Sequence, residues 1–249
     1  HEPWCNPKRF VPGETGVGGD RQGGWYDHAF ALYAKAGTTW TSPTVRVRLG
    51  VTLEAALADY AQANTLTRPL ADKVRDAQVL DKLVRAPLFL LAGKAEDKIA
   101  AVKTWPAPTT LHISDYLKGG FDKQYPDHLP PHPENFGTPG QLTELFAVAH
   151  AGGHLVSPYT NPTWWCDKPR GPSFEKWGEA PLCRRMDGRL YHECYGGRNE
   201  GFVNCYWHPG SQEANRRTVR EFTETYPVDL LFQDQCGART WMYDMNPAS

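Results

Sequence analysis

Three kinds of apolar spacing follow one another along the chain, and each predicts a different element. Thr44–Leu49 (TVRVRL) alternates apolar residues with arginine, the period of a half-buried or edge strand. Leu53, Ala56, Leu57 and Tyr60 then recur at i, i+3, i+4 and i+7 behind Thr52, which predicts a helix capped by the threonine hydroxyl. A second helical stretch runs from Leu70 to Val84 and is punctuated by Pro87. Ahead of these, Pro3–Gly24 is rich in Gly and Pro. One strand and two helices make no self-sufficient domain, so a boundary is expected near Arg85, dividing the chain into residues 1–84 and 85–249.

Beyond that boundary the pattern becomes strand, helix, strand, helix. Leu88–Leu91 (LFLL) is a continuous apolar run of the kind buried on both faces, and the helix behind it, Glu96–Trp105, carries Ile99, Val102 and Trp105 on one side. Thr109–Asp115 reads as a second strand, followed by a long loop, Tyr116–Gly137. Thr138-Pro139-Gly140-Gln141 is a capping box with proline at the first helical position, and its helix should bury Leu142, Leu145, Phe146 and Ala149 before Gly152-Gly153 stops it. His154–Tyr159 is a third strand. After an irregular insertion at 160–210, Ser211 can cap a helix lined by Ala214, Thr218 and Phe222, and Pro227–Phe232 is a fourth buried strand.

Four short apolar strands separated by helices imply parallel, right-handed crossovers, hence an α/β fold. A doubly wound sheet and a (β/α)8 TIM barrel both satisfy that. Ala92-Gly93-Lys94-Ala95 after the first strand lacks the G-x-G-x-x-G phosphate fingerprint, and the large loops after strands two and three favour the barrel, whose site lies at the strand C-terminal ends. A whole barrel needs about 250 residues, whereas residues 85–249 hold four repeats. The expectation is therefore the first half of a barrel, in a chain that is a piece of a longer protein, with the other half supplied by the remainder.

Charge removes some functions. Lys and Arg number 27 against 28 Asp and Glu, a net charge of −1, with no basic stripe, so nucleic acid is not expected as a partner. The longest apolar run, Ala86–Gly93, is eight residues, far short of the roughly 18 needed to span a membrane. Aromatic residues are the outlier: of 30 in all, ten lie between Tyr159 and Trp207. Rings concentrated in a polar, Gly/Pro-rich segment either line a ligand cleft, where flat apolar faces suit sugar rings, or form a structural cluster. Four of the six cysteines, Cys166, Cys183, Cys194 and Cys205, lie there too, beside His192 and His208. No C-x2-C pair supports zinc, so disulfides stapling the insertion are expected, and with them a secreted or periplasmic location. No cofactor and no metal are expected.

The strand ends gather the candidate chemistry. Strand two ends Ser114-Asp115-Tyr116, strand three Pro158-Tyr159-Thr160-Asn161 and strand four Gln233-Asp234-Gln235, which places polar groups on one rim. Asp234 is the candidate nucleophile or stabilising carboxylate, although a strand-terminal Asp can also cap the following helix.

The succession GFDKQYPDHLPP, SPYTNPTWW and YPVDLLFQDQCGAR resembles a bacterial TIM-barrel family related to glycoside hydrolases, near the α-galactosidases and endo-α-N-acetylgalactosaminidases, over roughly residues 85 to 240. The preceding strand and helices resemble the exit from the β-sandwich domain that precedes such barrels. The resemblance implies retaining cleavage of a glycosidic bond in a polysaccharide or glycan, with Asp234 at the nucleophile position and the general acid on a later strand outside this chain. Tyr159, Trp164 and Trp165 would then be stacking platforms. Asp115, Asn161 and His208 would contact sugar hydroxyls, and Tyr116, Gln235 and Arg239 would also bind substrate. Two alternatives stand beside it: a non-catalytic carbohydrate-binding protein on a barrel scaffold, and a metal-dependent TIM-barrel hydrolase using His112 and the Cys/His segment.

Overall fold

A computed structural model describes residues 15–20, 23–28, 36–41, 48–236 and 244–248. The chain divides into two compact units, residues 32–84 and residues 1–31 with 85–249. In the second of these, β1 (Thr15–Asp20) and β2 (Gly23–His28) pair as an antiparallel hairpin in the Gly-rich stretch. Residues 32–84 contain α1 (Leu53–Ala63), whose N-cap Thr52 accepts from the Ala55 N–H as its spacing predicts. The stretch predicted as one helix from Leu70 breaks into a short 3-10 turn, Leu70–Asp72, and α2 (Ala77–Arg85). Asp76 starts α2 by accepting from the Gln78 and Val79 N–H groups, a competition that Asp wins at helix starts and loses inside helices. Thr44–Val47 of the expected TVRVRL strand lie outside the described residues.

The larger unit is mixed α/β, built on a four-stranded parallel sheet. Its strands are β3 (Leu88–Leu90), β4 (Thr110–Ile113), β5 (Leu155–Thr160) and β9 (Phe232–Gln233), hydrogen-bonded in that order. α3 (Ala95–Val102) and α4 (Pro139–Ala151) make two of the crossovers. The capping box forms as expected: Thr138 Oγ1 accepts from the Gln141 N–H and Gln141 Oε1 from the Thr138 N–H. The core beneath is the predicted face of α4, Leu142, Leu145, Phe146 and Ala149, packed with Leu111, Ile113 and Val156. β3 departs from expectation. Leu88, Phe89 and Leu90 are exposed, because among the described residues β3 is an edge strand with a neighbour on one side.

The insertion after β5 is also more regular than its sequence suggests. β6 (Trp164–Cys166), β7 (His192–Tyr195) and β8 (Asn199–Val203) form an antiparallel sheet in the order β6-β8-β7, with α5 (Pro172–Trp177) between the first two in sequence. Gly196 and Gly197, both at positive φ, turn the chain from β7 to β8, and the Arg198 N–H donates to the Tyr195 carbonyl. Trp164 and Trp165, 0% and 1% exposed, are core residues here rather than platforms facing solvent. Gly201 makes that packing possible: a Cβ there would lie 2.5 Å from Trp164 Cε2 and from the Trp165 carbonyl oxygen. The five described cysteines are free thiols. Hydrogen-bonded strands and ring packing hold the insertion among the described residues, not the expected disulfides. α6 (Pro209–Arg220) follows, capped by His208 rather than Ser211, and ends in a π-type turn, Glu221–Thr225, that buries Phe222.

Candidate active site

Parallel pairing puts the C-terminal ends of β4, β5 and β9 on one rim. Tyr159 pairs with Phe232 and Thr160 with Gln233, so Asp234 is the first residue beyond the ladder, its N–H still donating to the Thr160 carbonyl at 2.7 Å. The Tyr159 hydroxyl donates to Asp234 Oδ2 at 2.8 Å. The Tyr159 ring is held by Phe232, stacked at 5.6 Å between centroids, and by Phe121 at 5.0 Å. Its phenol pKa is raised, first by burial and then by the charge of Asp122, with Asp234 adding to the effect, so it stays a hydrogen-bond donor.

Asp122 is the partner that the strand-end reading missed. It comes from the loop after β4, is 6% exposed, and its carboxyl is pushed up to about 6 by burial and by the charge of Asp234. The Tyr159 and Tyr125 hydroxyls and the Lys123 ammonium oppose that rise. Asp122 adopts φ 55° and Gln235, next to Asp234, φ 62°. Left-handed backbone at non-glycine residues costs energy and persists where surrounding structure enforces it, and it clusters at functional sites.

Enforcement is visible around the loop. The Cys166 N–H donates to the Tyr125 carbonyl at 3.0 Å, and the Tyr125 N–H meets Cys166 Sγ at 3.1 Å. Asp127 accepts from the Ser173 N–H at 3.0 Å, Ser173 Oγ at 2.7 Å and Arg217 Nη2 at 2.8 Å, which ties the loop to α5 and α6. A signal for Asp122 did exist: an acid flanked by Phe121 and Tyr125 in the loop that leaves a parallel strand.

The other expected residues have different work. Asp115 Oδ2 accepts from the Gly93 N–H and from Lys98 Nζ, both at 2.8 Å, and so locks the turn after β3 to the end of β4. Lys98 is fully buried, and burial lowers its pKa against the pull of Asp115. Tyr116 is buried and donates to the Tyr159 carbonyl at 2.6 Å, setting the height of β5 from below. Asn161 Oδ1 accepts from the Thr163 N–H and hydroxyl, forming the turn into β6. Gln235 bridges rim and insertion: its Nε2 donates to the Tyr195 hydroxyl at 2.9 Å and its Oε1 accepts from Thr163 Oγ1 at 3.2 Å. His208 packs edge-on against Trp177 at 5.5 Å, and burial lowers its pKa, so its neutral ring serves as a helix cap. His112 donates through Nδ1 to the Ser157 carbonyl at 2.8 Å and is likewise held neutral by burial. Arg239 lies outside the described residues. The expected residues that converge at the rim are thus Asp234, Tyr159 and Gln235.

A rim of this kind presents a half-buried carboxyl group with one oxygen occupied by a phenol. Known proteins share parts of this chain's sequence and architecture. A Bacteroides thetaiotaomicron protein named "Putative glycoside hydrolase" is 26% identical over 242 residues, which are 94% of this chain and 30% of that protein. The alpha-N-acetylgalactosaminidase of Bifidobacterium bifidum, ligand free, superposes with TM-score 0.58 at 16% identity, over 70% of this chain and 32% of that one; its GalNAc complex superposes with TM-score 0.59. The chain thus spans about a third of the length of these relatives, and its mixed α/β fold with a parallel sheet resembles part of that alpha-N-acetylgalactosaminidase. One family description, "Domain of unknown function (DUF6259)", matches residues 11–247, almost the whole length: the chain belongs to the DUF6259 family.

Proposed function

We propose that the chain supplies part of the active site of a retaining glycoside hydrolase acting on a glycan or polysaccharide, with Asp234 as nucleophile. The observation that carries this reading is the pairing of Asp234 with Tyr159 at the end of the last parallel strand, beside a second, buried carboxyl, Asp122. One oxygen of Asp234 is held by the phenol, and the other is left to attack the anomeric carbon. As the bond from Asp234 to that carbon forms, the glycosidic bond breaks, and its oxygen takes a proton from an acid that lies in the rest of the longer protein. Water then displaces Asp234 from the sugar. Asp122 borders the same space as an acceptor for sugar hydroxyls.

The barrel reading supports this placement. The order β3-β4-β5-β9 follows the chain without reversal, whereas a doubly wound sheet reverses at its switch point. Exposed Leu88, Phe89, Leu90 and Phe232 at the two edges are the surfaces that further strands of a closed barrel would cover. In the full-length protein, Asp234→Asn should lower kcat/KM on a cleaved glycoside by on the order of a thousandfold or more with unchanged thermal unfolding. Turnover near that of the wild type would refute Asp234 as nucleophile. Sugar binding that survives the substitution, with no turnover by either form, would identify a carbohydrate-binding protein instead.

A further inference from the structure

We propose a divalent transition-metal site at the exposed margin of the three-stranded insertion, on the face that also carries Trp165 and Phe202, held by Asp167, His192 and Glu200. Register brings them together. Cys194 pairs with Glu200 and His192 with Phe202 across β7 and β8, so side-chain alternation puts His192 and Glu200 on one face. Cys166 pairs with Gly201, and the Asp167 N–H donates to the Glu200 carbonyl, which carries Asp167 onto the same face from β6.

One ligand atom from each of the three residues lies within 4.8 Å of the others, and His192 Nε2 is 3.9 Å from Glu200 Oε2. Zinc bonds of about 2.0–2.1 Å require tetrahedral ligands about 3.4 Å apart, so a closure of about 1.4 Å suffices. His192 and Glu200 are both exposed enough to make that movement.

Asp167 and Glu200 also line a cleft of about 130 Å³ whose wall includes Asp122. Asp122 Oδ1 is buried there without a hydrogen-bond partner, so the cleft is a place where polar atoms await a ligand. Lys168 and Arg198 line the same cleft, and two further cations at its edge are engaged elsewhere or on one carboxylate only. Lys123 Nζ donates to the Arg198 carbonyl at 2.8 Å, and Arg170 engages Asp167 Oδ1 at 3.1 Å, leaving one carboxylate of the three-residue set balanced and the other not. One imidazole with two carboxylates favours zinc over calcium or magnesium, which prefer all-oxygen sets. Bound there, the ion would cross-link three strands that no disulfide joins among the described residues. The three ligands are distinct from Asp234 and Tyr159, and Asp122 is the residue common to the two sites.

The test is zinc titration of the full-length protein after EDTA treatment and dialysis, followed by calorimetry. Wild type should take up one zinc ion more than His192→Ala, and Glu200→Gln should weaken that binding tenfold or more. Zinc should raise the melting temperature of the wild type but not of His192→Ala, with equal melting in EDTA. Cys194→Ser, on the same face but outside the set, should bind as the wild type does. Equal stoichiometry in wild type and His192→Ala, or loss of binding in Cys194→Ser alone, overturns the proposal. Should His192→Ala fail to fold, Asp167→Asn and Glu200→Gln must both lose the ion for the proposal to stand.

Discussion

The parallel sheet and the insertion after it both bury aromatic rings, but the sheet also presents rings at the rim of the candidate site. The core under the sheet mixes aliphatic residues, Leu111, Ile113, Leu142 and Val156, with rings, Tyr116, Phe136, Phe146 and Phe222, and the sheet also brings Tyr159 and Phe232 to the rim where the carboxylates are. The insertion, poor in aliphatic residues and rich in turns, spends its rings on its own interior: Trp165, Phe174 and Phe202 surround Leu182 and Ala214, and Trp164 joins the main core. A segment with few apolar residues needs large ones to bury enough area, and each ring removes more surface from water than an aliphatic side chain does. Aromatic density therefore marks the insertion's core here. The site's rings, Phe121, Tyr159 and Phe232, come from strand ends and the loop after β4 instead.

Truncation should break this contrast most sharply. Trp164→Ala should cost about 3–5 kcal/mol in urea unfolding, whereas Trp207→Ala, in a ring 84% exposed, should change stability by less than about 0.5 kcal/mol. The reverse order would make the insertion's rings a binding surface after all.

Next in size is the pH dependence of Asp122. Its folded pKa of about 6 exceeds the ordinary 3.8, so the folded chain holds the proton more tightly and ionisation opposes folding. That favourable contribution is present in full below about pH 4 and is lost as pH rises through about 6. Asp122→Asn, neutral throughout, should therefore gain on the wild type between pH 4 and 7 by on the order of 3 kcal/mol. A pH-independent difference would place Asp122 in water instead.

Tyr159→Phe sharpens the rim's side of the contrast. It removes the donor to Asp234 while keeping the ring stack. A hydrogen bond to a charged group is worth about 1.5–3 kcal/mol, so kcat/KM of the full-length protein should fall roughly 10- to 100-fold. The apparent pKa of Asp122 should rise, because that hydroxyl holds it down. The smallest effect is expected at Thr138→Ala, where loss of the helix cap should lower stability by about 1 kcal/mol in thermal unfolding.

Legibility differs between the two regions for a physical reason. α4 could be read to the residue, because Thr138, Pro139, Gln141 and Gly152 act within one helical turn of the ends they define. The strands could be placed because parallel strands beneath helices are continuously apolar. β9 shrank to two residues, and the run Pro227–Phe232, expected as a buried strand, is half-buried or exposed because β9 is an edge strand among the described residues. The insertion's sheet was hidden because β7 alternates exposed and half-buried residues of mixed polarity. Its one local signal was Gly196-Gly197, the turn of the hairpin.

The sequence by itself determined the α/β class, the helix boundaries near their caps and the emergence of Asp234 and Tyr159 at strand ends, since each follows from spacing over a few residues. Only the tertiary structure decided that Asp122 faces Asp234 across the Tyr159 hydroxyl, that Trp164 and Trp165 are core, that Asp115 locks a turn through Lys98, and that Asp167, His192 and Glu200 share a face. Those are contacts between residues from 8 to more than 100 positions apart, fixed by strand register and loop anchoring, and no local pattern encodes them.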